Sequence, residues 1–138
     1  GVSTAYANLW RNGTLQVTGQ MGGIPFTGEN HYPNDAFVVD GALVTIAQPG
    51  TYYISFNVNI PAADLINTNI VLQANNANVA DTYIPLEKSD TGENEHLSGN
   101  TILTTTDITV LRLSSSSTIN ITADAQYTLA KMTIIRIL

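Results

Sequence analysis

Residues 50–60 alternate without a break between two kinds of side chain. Tyr52, Ile54, Phe56, Val58 and Ile60 are apolar, and Thr51, Tyr53, Ser55, Asn57 and Asn59 stand between them. Successive side chains of a strand point to opposite faces, so this period of two predicts a long, half-buried β-strand. The β-branched and aromatic content agrees. Pro49-Gly50 before it is a turn signal, and Pro61 closes it.

Shorter pieces repeat the pattern. Residues 5–10 and 14–17 flank Asn12-Gly13, a dipeptide suited to a two-residue hairpin turn. Residues 42–47 are expected to pair with 51–60 as a hairpin across Pro49-Gly50. Residues 69–75 carry Ile70 and Leu72 on one face, and 75–78 read as an Asn-rich turn. Strands are also predicted at 101–106, 108–113 and 118–122, with 114–117 as a loop, and at 128–138. No segment keeps a helical period over three turns; residues 62–66 hold at most one. Eight to ten short strands separated by turns predict an all-β sandwich or barrel. Neither a linker, an internal repeat nor a heptad divides residues 1–138, so a single domain is expected.

Composition supports this and removes several functions. Charged residues make up 12% of the chain, about half the usual ~25%. Thr (18) and Asn (14) supply polarity instead, and Lys occurs twice. Such a chain favours strands and Asn- or Gly-based turns over exposed helices. The formal charge is −6 with no basic stripe, which argues against a nucleic-acid partner. No apolar run approaches the ~18 residues of a membrane helix, so membrane insertion is not expected. Cysteine is absent, which removes disulfides, thiolate metal sites and a cysteine nucleophile. Residues 1–10 lack the basic start and apolar stretch of a signal peptide, so a mature, excised or cytosolic chain is expected.

The last strand carries a further implication. Ala130, Met132 and Ile134 share one parity; Leu129, Ile135 and Ile137 share the other. A strand apolar on both faces must be covered on both. The favoured cover is another subunit; the competing one is the chain's own irregular segment 19–41.

Polar residues offer little chemistry. His31 and His96 are the only histidines, and no Gly-x-Ser-x-Gly elbow exists to present a nucleophile beside either. Both are read as surface-loop histidines. Glu87, Asp90, Glu93 and Glu95 cluster in sequence, but their spacing does not match a calcium loop, and a solvated mobile loop is expected. Sugar cleavage would want aromatic platforms beside paired carboxylates; Trp10 and Tyr6 are read as strand packing. Asn12-Gly13-Thr14 and Asn120-Ile121-Thr122 match the N-glycosylation pattern, which chance supplies readily in this composition. No catalytic residue, metal ligand or cofactor is assigned.

The order of these weak motifs resembles a known family. The block Thr-Ile-Ala-Gln-Pro-Gly-Thr-Tyr-Tyr-Ile-Ser-Phe-Asn-Val-Asn-Ile, from Thr45 to Ile60, resembles the central stretch of the C1q/TNF-like jelly roll, with Gly50 and Tyr52 as its Gly-x-Tyr pair. Ile70-Val71-Leu72-Gln73-Ala74-Asn75, the Thr104-Thr105-Thr106 run into residues 108–113, and the apolar end from Met132 to Leu138 resemble the C-terminal domains of bacterial collagen-like exosporium glycoproteins, the BclA type. The resemblance spans about residues 25–138. It implies a ten-stranded, two-sheet jelly roll that assembles as a homotrimer. It implies a non-enzymatic head on a collagen-like stalk at the spore surface, structural and adhesive, with a host surface protein or glycan as external partner. It also implies an inner sheet facing the threefold axis, with Tyr53, Ser55, Leu111 and Met132 at the trimer interface. The parity of the last strand stays open: Lys131 and Thr133 make one face more polar, while the family comparison puts Met132 near the axis. The alternative is a carbohydrate- or receptor-binding jelly-roll tip, such as a phage fibre or lectin-like module, binding through residues 80–99.

Overall fold

The computed structural model describes residues 4–17 and 22–138. Its strands are β1 (Tyr6–Asn12), β2 (Leu15–Val17), β3 (Gly22–Gly23), β4 (Gly28–Tyr32), β5 (Phe37–Asp40), β6 (Leu43–Ile46), β7 (Gly50–Ile60), β8 (Ile66–Ala74), β9 (Ala77–Asn78), β10 (Ile84–Lys88), β11 (Glu95–Thr105), β12 (Thr109–Ser115), β13 (Ile119–Ile121) and β14 (Thr128–Arg136). One sheet has the order β11-β7-β14-β1-β4; the main path of the second is β10-β8-β12-β6-β5. The two face each other as an all-β jelly-roll sandwich of five strands against seven, the second sheet being completed by β3 beside β12 and β9 beside β8. The short β2 and β13 pair separately. No helix among the described residues is long and apolar enough to cross a membrane.

The alternation in β7 does what its period requires. Tyr52, Ile54, Phe56, Val58 and Ile60 are all buried, and the residues between them face outward. Across the gap stand Val44 and Ile46 of β6, Ile70 and Leu72 of β8, and Leu111 and Leu113 of β12. Each fully buried side chain of this size contributes roughly 1.5–3 kcal/mol. The Tyr52 hydroxyl donates to Gln48 O at 2.7 Å. Burial pushes its phenol above the ordinary value, and Arg136 nearby pulls the other way.

Both expected hairpins are corrected. β1 lies between β14 and β4, whereas β2 pairs with β13. Gly13, at φ +83°, donates its N–H to Tyr127 O and turns the chain out of the first sheet. Likewise β6 pairs with β5 and β12 in the second sheet, and β7 belongs to the first. Pro49-Gly50 is therefore a corner between layers. The apolar sides of β6 and β7 meet face to face across the core. Gly50 also admits the segment after β14: a Cβ there would lie 2.9 Å from Leu138 O. The Asn75-Asn76 turn forms as expected, with both residues at positive φ. Residues 114–115 extend β12 instead of opening a loop. Residues 19–21 of the candidate covering segment lie outside the described residues; 28–32 and 37–40 form strands.

The last strand differs from its simple parity. Arg11 pairs with Ala130 but Asn12 with Thr128, so Leu129 is an extra residue, a β-bulge. The bulge turns Leu129 inward, and Leu129 and Ala130 are both buried. Ile135 and Ile137 keep their outward direction and stay exposed.

Glycine is required at position 28, where the edge strand β4 passes under Trp10. A Cβ there would stand 2.0 Å from the indole Cε2. Gly28→Ala is expected to lift the indole off the sheet. Since Trp10 is the chain's single tryptophan, a red shift of its emission, without loss of β-sheet circular dichroism, is the readout.

Candidate functional site: the outer face of the first sheet

Registers place one residue from each strand side by side across the full width of the first sheet: Tyr32, Tyr6, Ile135, Tyr53 and Ile102. All five point away from the core. Exposure is 47% for Tyr32, 40% for Tyr6, 36% for Ile135 and 63% for Ile102; Tyr53 is half-buried. The rings of Tyr6 and Tyr32 stack with centroids 6.1 Å apart. Local sequence explains three of these placements. Tyr53 sits on the outward parity of β7, Ile135 on that of β14, and Tyr6 on that of β1.

The neighbouring rows are polar and nearly uncharged. Asn30, Asn8, Thr133, Ser55 and Asn100 form the next one, with the Thr133 hydroxyl donating to Asn8 Oδ1 at 3.3 Å. Gly28, Trp10, Lys131, Asn57 and Ser98 form the third. Beyond it the Thr128 hydroxyl donates to Asn12 Oδ1 and the Asn59 amide to Thr128 O. Lys131 is the one formal charge among these positions, and none is a carboxylate, in a chain with 11 acidic residues. Six of those, Asp64, Glu87, Asp90, Glu93, Glu95 and Asp124, lie near one end of the sandwich, where β7 ends and β8, β11 and β14 begin. Both described chain ends lie at the other, where Arg136 N donates to Ala5 O. The aromatic row crosses the sheet near that second end. A face free of carboxylates, with aromatic and apolar side chains in a row, has the composition of an interface centre.

Of the four positions that the resemblance assigned to an interface, Tyr53 and Ser55 lie on this face, in adjacent rows. Leu111 and Met132 do not. Leu111 belongs to the second sheet and points into the sandwich; Met132 points inward between Leu9 and Phe56. Both are fully buried within one chain and have no surface to offer a partner. Tyr6, Tyr32, Ile102 and Ile135 complete the row. The sequence alone suggests ordinary strand packing for Tyr6, and Tyr32 and Ile102 carry no signal of their own.

The polar candidates stay apart. His31 is a strand residue on the inner parity of β4, with Nε2 3.0 Å from Glu29 Oε2 and its ring 6.1 Å from that of Phe37. His96 is on β11, with Nδ1 against Asn59 Oδ1. Glu87, Asp90 and Glu93 are exposed and Glu95 is half-buried. No group of three His, Asp or Glu side chains that could hold a metal gathers among the described residues. The expected binding loop 80–99 is shorter than that range, since β10 and the start of β11 occupy much of it.

The fold is that of the C1q/TNF-like jelly rolls. No protein-family model matches the sequence, and no curated protein matches it. Solved structures match over nearly the whole chain. The globular domain of zebrafish complement 1qA superposes with a TM-score of 0.68 at 16% identity, covering 99% of this chain and 98% of that one. Eiger TNF from S. frugiperda gives 0.64 at 11%, over 99% and 94%. The vertex protein P5 of PRD1 gives 0.63 at 14%, over 100% and 99%. At these identities the likeness is one of fold.

Proposed function

We propose that this chain is a non-enzymatic, self-trimerising head domain of a collagen-like filament protein on the spore surface, structural and adhesive in role. One observation carries the reading: the carboxylate-free outer face of the first sheet, crossed by Tyr32, Tyr6, Ile135, Tyr53 and Ile102. Five strands about 4.8 Å apart and about seven residues long present roughly 550 Å² in projection. That is the order of the ~800 Å² of accessible surface each partner buries in a stable complex. A second copy matches the face chemically, because an apolar row flanked by polar, almost uncharged rows meets no like-charge repulsion from its own copy. Three copies around an axis shield it in all of them and close the assembly. A stalk joined at the N-terminal end would arrive beside the apolar row.

The spore-surface assignment rests on the sequence resemblance. The adhesive role falls to the acidic end loops, which project away from the chain ends. A second reading, a receptor- or glycan-binding tip such as a phage fibre head, draws on the likeness to a vertex protein and uses the same loops. Native mass spectrometry and light scattering at micromolar concentration test the assembly. The expected mass is three times that of the chain; a monomer would remove the reading. Saturable binding on a glycan array, lost on substituting residues 89–94, would favour the tip.

A further inference from the structure

β10 ends on Lys88, whose parity is that of Ile84 and Leu86 and so points into the sandwich. The residue is 6% exposed. An ammonium left there without partners would be costly. The side chain instead carries its nitrogen to the end of the sandwich, where three backbone carbonyls converge: Ala62 O at 2.8 Å, Asp64 O at 2.6 Å and Asp90 O at 2.6 Å. An ammonium has three N–H donors, and all three are used. The distances are those of charge-assisted hydrogen bonds. The carboxylates of this end take no part. Among the described residues, Asp64, Glu87, Asp90, Glu93 and Glu95 lie in no salt-bridge contact with Lys88; the one carboxylate contact of that kind is Glu29 to the His31 ring.

Convergent carbonyl oxygens, with side-chain carboxylates left in water, are the donor set of a site for a singly charged cation. We propose that the Ala62, Asp64 and Asp90 carbonyls form a cation site at the end of the head remote from the chain ends. The chain's own ammonium fills it. Occupied in this way, the site fastens two loops, residues 61–65 and 89–94, to the end of β10. The Gly92 N–H, which donates to Ala62 O at 3.1 Å, ties the same loops a second time. Glycine suits that turn, since φ is +106° there. These two loops are thereby held in one arrangement without a dissolved metal. If the side chain is cut back, the vacancy has the shape and chemistry of a short primary alkylammonium.

Chemical rescue tests this directly and does not depend on the oligomeric state. Lys88→Ala is expected to lower Tm by about 10 °C. Lys88→Met keeps the length but leaves the carbonyls unpaired, and should lose a similar amount. Propylammonium chloride should raise the Tm of Lys88→Ala saturably and leave the wild type unchanged. Tetramethylammonium, which has no N–H, should do nothing at equal concentration. Lys88→Met as stable as the wild type, no rescue of a folded Lys88→Ala, or equal rescue by tetramethylammonium would overturn the proposal. If Lys88→Ala fails to fold, wild-type protein still decides. The chain has two lysines, and an amine-reactive ester should modify Lys88 about 100-fold more slowly than a free lysine peptide, until the protein unfolds. Labelling of Lys88 at the peptide's rate sinks it.

Discussion

Ile135→Asp is expected to convert the proposed trimer into folded monomers. Ile135 stands on β14, the middle strand of the first sheet, with Tyr6 on one side and Tyr53 on the other. Its side chain points outward, so a single chain tolerates a carboxylate there at little cost, as at most surface positions. In the proposed trimer the position would be covered, and the nearby rows hold no partner but Lys131. Burying an unpaired carboxylate costs several kcal/mol, and the proposed threefold symmetry would impose that cost three times. The mass should fall to that of one chain while circular dichroism stays unchanged. Trp10 emission should move to the red as the outer face meets water. Val38→Asp is the control. Val38 is 56% exposed, more than Ile135, but lies on the outer side of β5 in the second sheet. It should leave the mass at three chains. A trimer that survives Ile135→Asp would mean that this face is not the contact.

The strands were legible where a strand carries its own pattern and illegible where its neighbours impose it. β7 alternates for its whole length because one side faces the core and the other does not. β4, with the sequence Gly-Glu-Asn-His-Tyr, has Glu29 and His31 on its inner parity and no apolar alternation. It is a strand because β1 lends it hydrogen bonds. Turn chemistry was read correctly at Asn75-Asn76, where both halves of the hairpin stay in one sheet. At Asn12-Gly13 and Pro49-Gly50 the same chemistry makes corners, because the layer a strand joins is settled by long-range packing. The bulge at Leu129 has no local signal at all.

The candidate site shows the same division. Parity told which side of β7 Tyr53 occupies, so the outward face was half readable. The row itself draws on residues as far apart as Tyr6 and Ile135, and only the strand registers reveal that they are neighbours. Carrying positions over from the resemblance also brought in Leu111 and Met132, although their own parity is that of core residues. Lys88 lay beyond reach in another way. Its partners are backbone carbonyls 24 and 26 residues upstream and 2 residues downstream, and a carbonyl leaves no mark in a sequence.

Leu111→Ala separates core from contact most sharply. Leu111 is fully buried within its own chain, in the middle of β12, paired with Val44 on one side and Ala74 on the other. Truncation should cost roughly 3–5 kcal/mol, through lost burial and the cavity left behind. In a domain of this size that lowers Tm by about 10–20 °C. Met132→Ala should follow in the same direction but at the lower end, about 2–3 kcal/mol, since an unbranched thioether fills space that neighbours can partly reclaim. Neither change removes an atom from the outer face, so whatever protein remains folded should keep the mass of three chains. Ser55→Ala, on that face, should change stability by no more than about 0.5 kcal/mol. A Leu111→Ala protein that is as stable as the wild type but dissociated would place this residue at a subunit contact and reverse the assignment of the two faces.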